Sequence, residues 1–419
     1  STASSSREAL REWVTARCGA GAWHSNAALA DFGDGQTRVV VAEDAVIGKD
    51  EAIFSIPTSA MVVADGADAL GEFLQKSQLN PTTALALRLA YEAFALRDQS
   101  RIAPYVNALP ATFDVPLFWD ARAAAELAGA GLSFRRAVGA KRAAAATYVQ
   151  LRRAFDSGTP LRRAFLRDFV AFDEFQWAMA AVMTRQNAVE KRLALVPAWD
   201  MCNHDRTAPA SAVVLENGEP RLELRAATDL EGGEDVRMDY GTRSTLEFAL
   251  YAGFLPPSRS PRDAVPLPVS LLVNDGGGGF RGLATNLLKK KLIPESGGDA
   301  VFVGQLVVVA DGRVGPDDAL RAIGLAAVVD KSRLAHLVRS ADCVRFTPLD
   351  DDHAADAAAF LRTACDAELA KRAATNAAVL HNDGGDSSAE SRRRRDLARA
   401  LFDFEFDFLR DAATSLSLS

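Results

Sequence analysis

The spacing of apolar residues changes twice along the chain, from strand-like to helical and back to strand-like. Two short β-branched runs, residues 37–42 and 52–56, predict strands near the start of the chain, and Pro57 ends the second. Apolar residues then recur three or four positions apart, at Leu87, Tyr91 and Phe94. This spacing predicts a helix, and helical texture continues to about residue 187. A second stripe on one helix face lies at Phe175, Met179 and Val182.

Strand patterns return after residue 187. Residues 212–215 and 221–224 flank Asn217 and Gly218, and this dipeptide between two apolar runs predicts a hairpin. Residues 235–238 predict another short strand. Ser244 and Glu247 have the spacing of a capping box, so we expect a helix to start there and to end at Gly253.

The last third of the chain is predicted to be a separate, mostly helical domain. The proline-rich residues 256–268 predict a linker, and residues 274–279 and 382–388 predict flexible loops. The final helix carries an apolar stripe at Leu397, Leu401, Phe404 and Phe408. The arginines at 392–395 form either a solvated helix end or a site for an acidic partner. We therefore expect one domain over residues 1–255, with a helical insertion at about 78–180, and a second domain over 256–419.

The amino-acid composition limits the classes to which the protein can belong. The 419 residues are 48% hydrophobic and 25% charged, as in ordinary soluble proteins of two or three domains. No apolar run approaches the ~18 residues of a membrane span. The net charge of -7 argues against a surface devoted to nucleic-acid phosphates. We therefore expect neither a membrane nor a nucleic acid as partner.

The four cysteines and five histidines show no metal-site spacing. No pair follows a CxxC or HxxxH pattern, so we expect no metal site and no disulfide framework. This cysteine usage fits a reducing compartment. The chain begins with serine and not with methionine, which leaves open whether a targeting peptide was removed.

Common catalytic motifs are missing, and one compact block of polar residues stands out. There is no P-loop and no GxSxG elbow. The block comprises residues 183–187, 197–204 and 239–244. Taken alone, the pair Asn203 and His204 is most often a turn or a satisfied core pair, and Tyr240 is an ordinary strand-end tyrosine. The spacing by itself therefore identifies no reaction.

The block as a whole resembles the signature of SET-domain methyltransferases. Residues 203–204 are followed by Tyr-Gly at 240–241 and then by a helix that ends at 252–254, which is the order found in that family. The block is most similar to the branch that contains the Rubisco large-subunit lysine methyltransferase and the actin-histidine methyltransferase, and within it to the latter. Residues 104–118 resemble the inserted helical segment of this branch. The resemblance implies an α+β fold with a β-rich SET domain, a pseudoknot, an inserted helical subdomain and a mostly α-helical C-terminal domain.

The resemblance also implies S-adenosylmethionine as cofactor. Methyl transfer is an in-line displacement at a sulfonium carbon, so the protein mainly holds the nucleophile and the methyl group aligned and dry. Tyr240 would line the channel for the nucleophile and also touch the cofactor. The other residues assigned to the cofactor are Asn203, His204, Arg185, Thr184, Asp34 and Gln36. The loop at 33–37 departs from the family's Gly-aromatic-Gly pattern, Ala252 replaces a small polar residue near the cofactor, and Arg7 is a further candidate for the cofactor carboxylate.

Asn187 and Trp199 are the residues from which we predict the methyl acceptor, histidine or lysine. A neutral imidazole needs a group that fixes its orientation more than it needs a base. Asn187 can hydrogen-bond one ring nitrogen, and Trp199 can form a wall for the flat ring. Lysine-directed members tend to place an aromatic residue where Asn187 stands. Asn187 could instead cap the helix that it terminates. Val189 and Arg243 complete the expected substrate site, although Arg243 could also pair with a surface acid.

The resemblance therefore predicts an S-adenosylmethionine-dependent protein methyltransferase that modifies a histidine of actin and works as a cytoplasmic monomer. The alternative is a lysine methyltransferase of the same branch that acts on Rubisco or another non-histone protein, and a nuclear or plastid location stays open. A third possibility, from another class, is a non-catalytic binding adaptor. The presence of Tyr240, Asn203 and His204 argues against an adaptor, which would not need them.

Overall fold

The computed structural model describes residues 2–31, 37–127, 131–158, 160–165, 168–208, 211–270, 301–309, 311–328, 351–380 and 388–417. The chain forms two compact units, of which the first comprises Ser1–Phe118 and Gly139–Gly241, and the second Trp119–Val138 and Thr242–Ser419. The second unit starts directly after Gly241 because the helix that follows buries Leu246 and Leu250 in a cluster of that unit. The domain division at 255/256 and the insertion at about 78–180 stay predictions.

The helices and strands alternate along the first unit, whereas helices dominate the second. The helices are α1 (Thr2–Cys18), α2 (Ala69–Lys76), α3 (Pro81–Ala90), α4 (Ala103–Ala108), α5 (Ala121–Glu126), α6 (Gly131–Asp156), α7 (Pro160–Ala164), α8 (Phe172–Arg185), α9 (Thr245–Ala252), α10 (Asp318–Val328), α11 (Asp351–Leu380) and α12 (Ala389–Ser415). The strands are β1 (Ala27–Asp31), β2 (Thr37–Val41), β3 (Val46–Ile47), β4 (Ala52–Pro57), β5 (Val62–Val63), β6 (Asn187–Val189), β7 (Arg192–Leu195), β8 (Asn203–His204), β9 (Ala212–Glu216), β10 (Glu219–Arg225), β11 (Leu230–Glu231), β12 (Arg237–Met238), β13 (Ala264–Ser270), β14 (Val301–Val308) and β15 (Val314–Pro316).

The strands of the first unit form several small sheets. β1 pairs with β2, β3 pairs with β11, and two three-stranded sheets have the orders β4-β10-β9 and β5-β7-β6. The predicted hairpin is confirmed as β9 and β10. Its turn residues Asn217 and Gly218 have φ values of 53° and 83°, which is the left-handed pair that a type I′ turn requires. β8 and β12 form a parallel pair, and this pair carries the candidate site.

The helical stripes predicted for the first unit are confirmed as core faces. Phe175, Met179 and Val182 of α8 are buried, and α8 packs against α3. The helix predicted from Leu87, Tyr91 and Phe94 is α-helical only in its first part. α3 stops at Ala90, and a π-helical turn, Tyr91–Leu96, follows. The Tyr91 ring packs edge-on against Phe165 at 5.1 Å between centroids, so the apolar stripe continues although the helix type changes.

The capping box at the start of α9 is confirmed in both directions. The Ser244 side chain accepts a hydrogen bond from the Glu247 amide, and the Glu247 carboxylate accepts one from the Ser244 amide. α9 ends at Gly253, whose φ of 80° is the left-handed conformation that glycine adopts without strain.

The prediction of a linker through residue 268 is wrong at its end, because Ala264–Ser270 forms strand β13. Val265, Leu267 and Val269 are fully buried on one face of this strand, and prolines occupy the alternate positions. β13 lies at the edge of the sheet β13-β14-β15, where a strand tolerates residues without an amide hydrogen. The prolines therefore mark an edge strand and not a linker.

The final helical stripe is confirmed in α12, where Leu401 and Phe408 are fully buried and Leu397 and Phe404 are partly buried. The predicted loops at 274–279 and 382–388 lie outside the described residues, apart from Ser388, which is the N-cap of α12. Within the described ranges, none of the helices combines the length and apolarity that a membrane crossing requires.

Candidate active site

Two segments that are distant in sequence become neighbours at the parallel pair of β8 and β12. Asn203 lies opposite Arg237, and His204 lies opposite Met238. The Asp205 amide donates a hydrogen bond to the Met238 carbonyl oxygen at 3.0 Å. On the other side, the Val236 amide donates to the Val39 carbonyl oxygen of β2 at 2.9 Å. The segment before Tyr240 therefore runs between β2 and β8.

His204 and Tyr240 hold each other in place. The Tyr240 amide donates a hydrogen bond to His204 Nδ1 at 3.2 Å, and the two ring centroids lie 5.0 Å apart. The Tyr240 hydroxyl donates to the Cys202 carbonyl oxygen at 2.6 Å. Burial lowers the pKa of His204 below its ordinary value, with the Asp239 carboxylate opposing the shift. A neutral imidazole is the form whose Nδ1 can accept the amide, so these contacts fix the position of the tyrosine hydroxyl.

Asn203 is held by an acidic neighbour on the adjacent segment. Its Nδ2 donates a hydrogen bond to the Asp235 carboxylate at 3.1 Å. The carbonyl Oδ1 of the same side chain has no hydrogen-bond partner among the described residues. The half-buried amide group therefore keeps one acceptor available for a ligand.

Arg185, at the end of α8, belongs to a buried network that the sequence did not predict. Its Nη1 donates to the Asp200 carbonyl oxygen at 2.7 Å and lies 3.7 Å from the Asp200 carboxylate. The Tyr105 hydroxyl donates to the other carboxylate oxygen at 2.5 Å. The Asp200 side chain is fully buried, and this burial raises its pKa to about 6, against the opposing effects of Arg185 and Tyr105. A carboxylate inside the apolar run before Asn203 was the signal that could have revealed this network.

The Thr184 hydroxyl is engaged within its own helix. Its Oγ1 lies 3.0 Å from the carbonyl oxygens of Ala180 and Ala181, to which it donates. The hydroxyl therefore satisfies carbonyls of the last turn of α8, and the predicted contact of Thr184 with a cofactor remains a prediction.

Asn187 opens β6 and makes the helix-end contact considered for it, whereas its role towards a substrate stays a prediction. Its Nδ2 donates to the Arg185 carbonyl oxygen at 2.9 Å, which satisfies a carbonyl at the helix end. Its Oδ1 has no hydrogen-bond partner in the part of the chain that the structure describes. Asn187 is only half-buried, so an acceptor atom is left for a ligand at the surface of the site.

Two other residues predicted for the substrate, Trp199 and Val189, are buried. Trp199 is 4% exposed, and its indole Nε1 donates to the Ser211 hydroxyl at 2.9 Å. Val189, the last residue of β6, is 5% exposed and belongs to the core. No hydrogen bond joins Trp199 to Asn187 among the described residues, and their cooperation stays a prediction.

Of the remaining predicted residues, some make none of these contacts and others lie outside the described residues. Asp34 and Gln36 lie outside the described residues. Arg7 forms an ion pair with Asp31 at 3.6 Å. Arg243 and Ala252 belong to the second unit, where Arg243 is half-buried. In the described ranges, no group of three potential metal-ligating side chains comes together.

Curated relatives match part of this chain. The actin-histidine N-methyltransferase of Danio rerio is 28% identical over 237 residues, which are 54% of this chain and 39% of that protein. The Homo sapiens protein of the same name is 30% identical over 157 residues, which are 36% of this chain and 26% of that protein. The chain therefore matches well under half the length of these relatives. No family model matches the chain.

Solved structures share the fold over almost the whole chain. The SET domain of LSMT bound to lysine and AdoHcy has a TM-score of 0.72 at 19% identity, covering 99% of this chain and 91% of that one. Rubisco LSMT bound to AdoMet has a TM-score of 0.69 at 18% identity, covering 99% and 92%. These similarities confirm the α+β class and the resemblance predicted from the motifs. The chain has the SET-domain fold of these LSMT structures, and part of its sequence is similar to the actin-histidine N-methyltransferases.

Proposed function

We propose that this chain is an S-adenosylmethionine-dependent protein methyltransferase and that its acceptor is a histidine side-chain nitrogen of actin. The observation that carries the proposal is the Tyr240 hydroxyl, held 2.6 Å from the Cys202 carbonyl oxygen directly beside Asn203 and His204. Oxygen atoms fixed in this way can face the partly positive hydrogens of a methyl group in transfer. Each such contact is weak, but several together favour one geometry of transfer.

Free hydrogen-bonding capacity around Arg185 and Asn203 fits S-adenosylmethionine. Arg185 uses Nη1 on Asp200, and its buried Nε has no hydrogen-bond partner among the described residues. A guanidinium with N–H groups to spare suits the methionine carboxylate. The available Oδ1 of Asn203 suits an amino group. The residues we propose to hold this cofactor are Asn203, His204, Arg185, Thr184, Asp34, Gln36 and Tyr240, and when bound it supplies an electrophilic methyl group.

Asn187 favours histidine as the acceptor. A neutral imidazole carries one N–H and one nitrogen lone pair, and only the lone pair can attack a methyl group. Asn187 Oδ1 is an acceptor without a partner among the described residues, so it can accept that N–H and turn the lone pair towards the cofactor. Trp199, Val189 and Arg243 are proposed to line the rest of the substrate site. The sequence similarity to actin-histidine N-methyltransferases supports this choice of acceptor.

A lysine acceptor is the second candidate, and a specific observation favours it. The solved structures with this fold include LSMT bound to lysine and to methyl-lysine. A protonated lysine presents three donors and must lose a proton before it attacks. In this reading the acceptor oxygen of Asn187 would hydrogen-bond an amine, and Rubisco or another non-histone protein would be the substrate.

The proposed function also includes the kind of substrate, the oligomeric state and the cellular location. We propose a protein substrate, a monomeric enzyme and a cytoplasmic site of action, the last because actin is a cytoplasmic protein. A binding adaptor without catalysis would not require the Tyr240 and His204 contacts described above.

The experiment is transfer of an isotope-labelled methyl group to purified actin, followed by mass spectrometry of a digest. We expect label on one histidine, and none when that histidine is replaced by alanine in an acceptor peptide. Label on lysine, or on Rubisco with actin untouched, would move the assignment to the lysine alternative. Cofactor binding by calorimetry without transfer to either protein would favour the adaptor.

A further inference from the structure

Helix α6 and the start of α7 carry a concentration of positive charge. Residues 131–165 contain eight basic residues and one acidic residue. Because the whole chain has 48 basic and 55 acidic residues, the remainder has 40 basic and 54 acidic ones. The basic character of this segment therefore does not follow from the overall composition.

The outward face of α6 within the first unit combines this charge with an exposed apolar side chain. Ala144, Leu151 and Phe155 are buried on the inner face. On the opposite face, helical spacing aligns Arg142, Val149 and Arg153, and both arginines are exposed. Val149 is 45% exposed, one of few large apolar side chains so exposed among the described residues. Arginine is enriched at protein–protein interfaces, so two exposed arginines beside an exposed valine suit a protein-binding surface.

The charges on this face are not neutralised by neighbours. Arg152, on the flank, pairs with Asp156 and Asp168 at 3.3 Å. By contrast, no acidic side chain within the described ranges forms an ion pair with Arg142 or Arg153, and both are exposed. The two guanidinium groups therefore remain available to an acidic partner.

The face is tied to the helix that ends in the candidate active site. Tyr148 of α6 packs against Phe172 and Phe175 of α8, at centroid distances of 5.1 and 5.8 Å. Phe175 precedes Arg185 by ten residues, which is about 15 Å along a helix. A folded protein that presents one side chain to the site would therefore also extend over neighbouring elements such as α6.

We propose that Arg142, Val149 and Arg153, here called the α6 face, form a docking surface for an acidic region of the folded protein substrate. The partner's identity as a substrate rests on the proposed function. Charge complementarity selects an acidic surface, and the central valine favours a protein over a nucleic acid, since a phosphate backbone gains nothing from an apolar contact.

The test compares the double variant Arg142→Glu/Arg153→Glu with Arg262→Glu/Arg399→Glu, which changes the net charge equally at exposed arginines of the second unit. With folded actin as substrate, we expect the first variant to lower kcat/KM by about tenfold at low salt, through KM. A short acceptor peptide should be methylated at the wild-type rate, and the control variant should behave as wild type throughout. Equal loss in both variants, or none in either, would overturn the docking surface.

A second measurement separates this proposal from the proposed function. The probes are fluorescein-labelled poly-L-glutamate and a duplex DNA, each titrated at 50 and 200 mM salt, and neither requires methyl transfer. We expect wild type and control to bind poly-L-glutamate at low salt and the α6-face variant to lose this binding. If actin is not methylated but this difference is seen, the proposed substrate fails and the acidic docking surface stands. Tighter binding of the DNA, or unchanged poly-L-glutamate binding by the variant, overturns the surface as described.

Discussion

At the scale of single residues, the decisive contact is the hydrogen bond from the Tyr240 hydroxyl to the Cys202 carbonyl oxygen. Tyr240→Phe removes the hydroxyl and keeps the ring, so its packing against His204 should survive. We expect turnover to fall at least tenfold while S-adenosylmethionine affinity and folding stay nearly unchanged. Tyr148→Phe is the matched control, because it loses a comparable bond to the Val170 carbonyl oxygen elsewhere in the same unit. Near-wild-type turnover of Tyr240→Phe would remove the tyrosine from the mechanism.

Asn203 should contribute to cofactor affinity and not to turnover. Loss of a hydrogen bond from a desolvated site costs about 1–3 kcal/mol, so Asn203→Ala should weaken S-adenosylmethionine binding by about tenfold or more. Calorimetry measures this directly. Asn26→Ala, which loses its bond to the Val46 carbonyl oxygen, controls for the general loss of an asparagine contact. Equal affinities of Asn203→Ala and wild type would mean that the cofactor binds elsewhere.

Asp200 should make the stability of the protein depend on pH. Its pKa is raised to about 6 in the folded state, so the native state holds this proton more tightly than the unfolded chain does. The stabilisation from this group is therefore complete below an unfolded pKa near 3.8 and is lost as the pH rises through about 6. Between pH 5 and 7.5, wild type should lose about 1 kcal/mol more unfolding free energy than Asp200→Asn. Urea unfolding at both pH values measures the difference, and parallel pH profiles would contradict the assignment.

The sequence predicts some residues of the candidate site and misses others, because the missed contacts join residues that are far apart along the chain. Asn203, His204, Arg185 and Tyr240 belong to short motifs, so a resemblance identifies them before any contact is known. The bond between Tyr105 and Asp200 joins residues 95 positions apart, and no local pattern specifies such a pair. Burial of Asp200 likewise depends on the packing of several elements. Sequence therefore identified the motif residues and missed the network that holds Arg185.

At the scale of elements, the predictions that hold are those whose signals lie within a few residues. The Asn217–Gly218 turn and the Ser244 capping box each need only adjacent side chains and backbone conformations. Strand β13 was missed because its prolines argue against a strand unless the strand lies at an edge, and edge position is a tertiary property. The π-helical turn after α3 is missed similarly, because the apolar spacing there suits an α-helix as well.

The capping box gives a prediction at this scale. Ser244→Ala removes the oxygen that accepts from the Glu247 amide, which leaves a donor at the start of α9 without its cap. The change should lower the free energy of unfolding by about 1 kcal/mol, as measured by urea titration. Ser244→Thr keeps a hydroxyl and should restore most of the loss. If alanine and threonine are equivalent, the cap does not stabilise α9.

At the scale of the whole molecule, the fold does not decide the acceptor, because the same SET fold occurs in structures bound to lysine. We propose that the choice depends on local groups, chiefly Asn187 with its available acceptor oxygen. The ionisation of the acceptor offers an independent criterion, since imidazole and amine differ in pKa by several units. A pH profile of methyl transfer to a peptide therefore tests the acceptor class without identifying the substrate protein.

With a histidine acceptor, the rate of methyl transfer should level off above neutral pH. The rate should fall below about pH 6.5, because the protonated imidazole has no lone pair for attack. A lysine acceptor should instead keep gaining rate towards its pKa near ~10.4. Asp200 also titrates in the acid range, with a pKa of about 6, so the profile is measured in wild type and in Asp200→Asn. An acid limb that persists in this variant belongs to the acceptor or to His204, whose pKa is lowered by burial and whose titration therefore lies at lower pH. A rate that climbs steadily from pH 7 to 10 in both proteins would reject the histidine acceptor and establish an amine in its place.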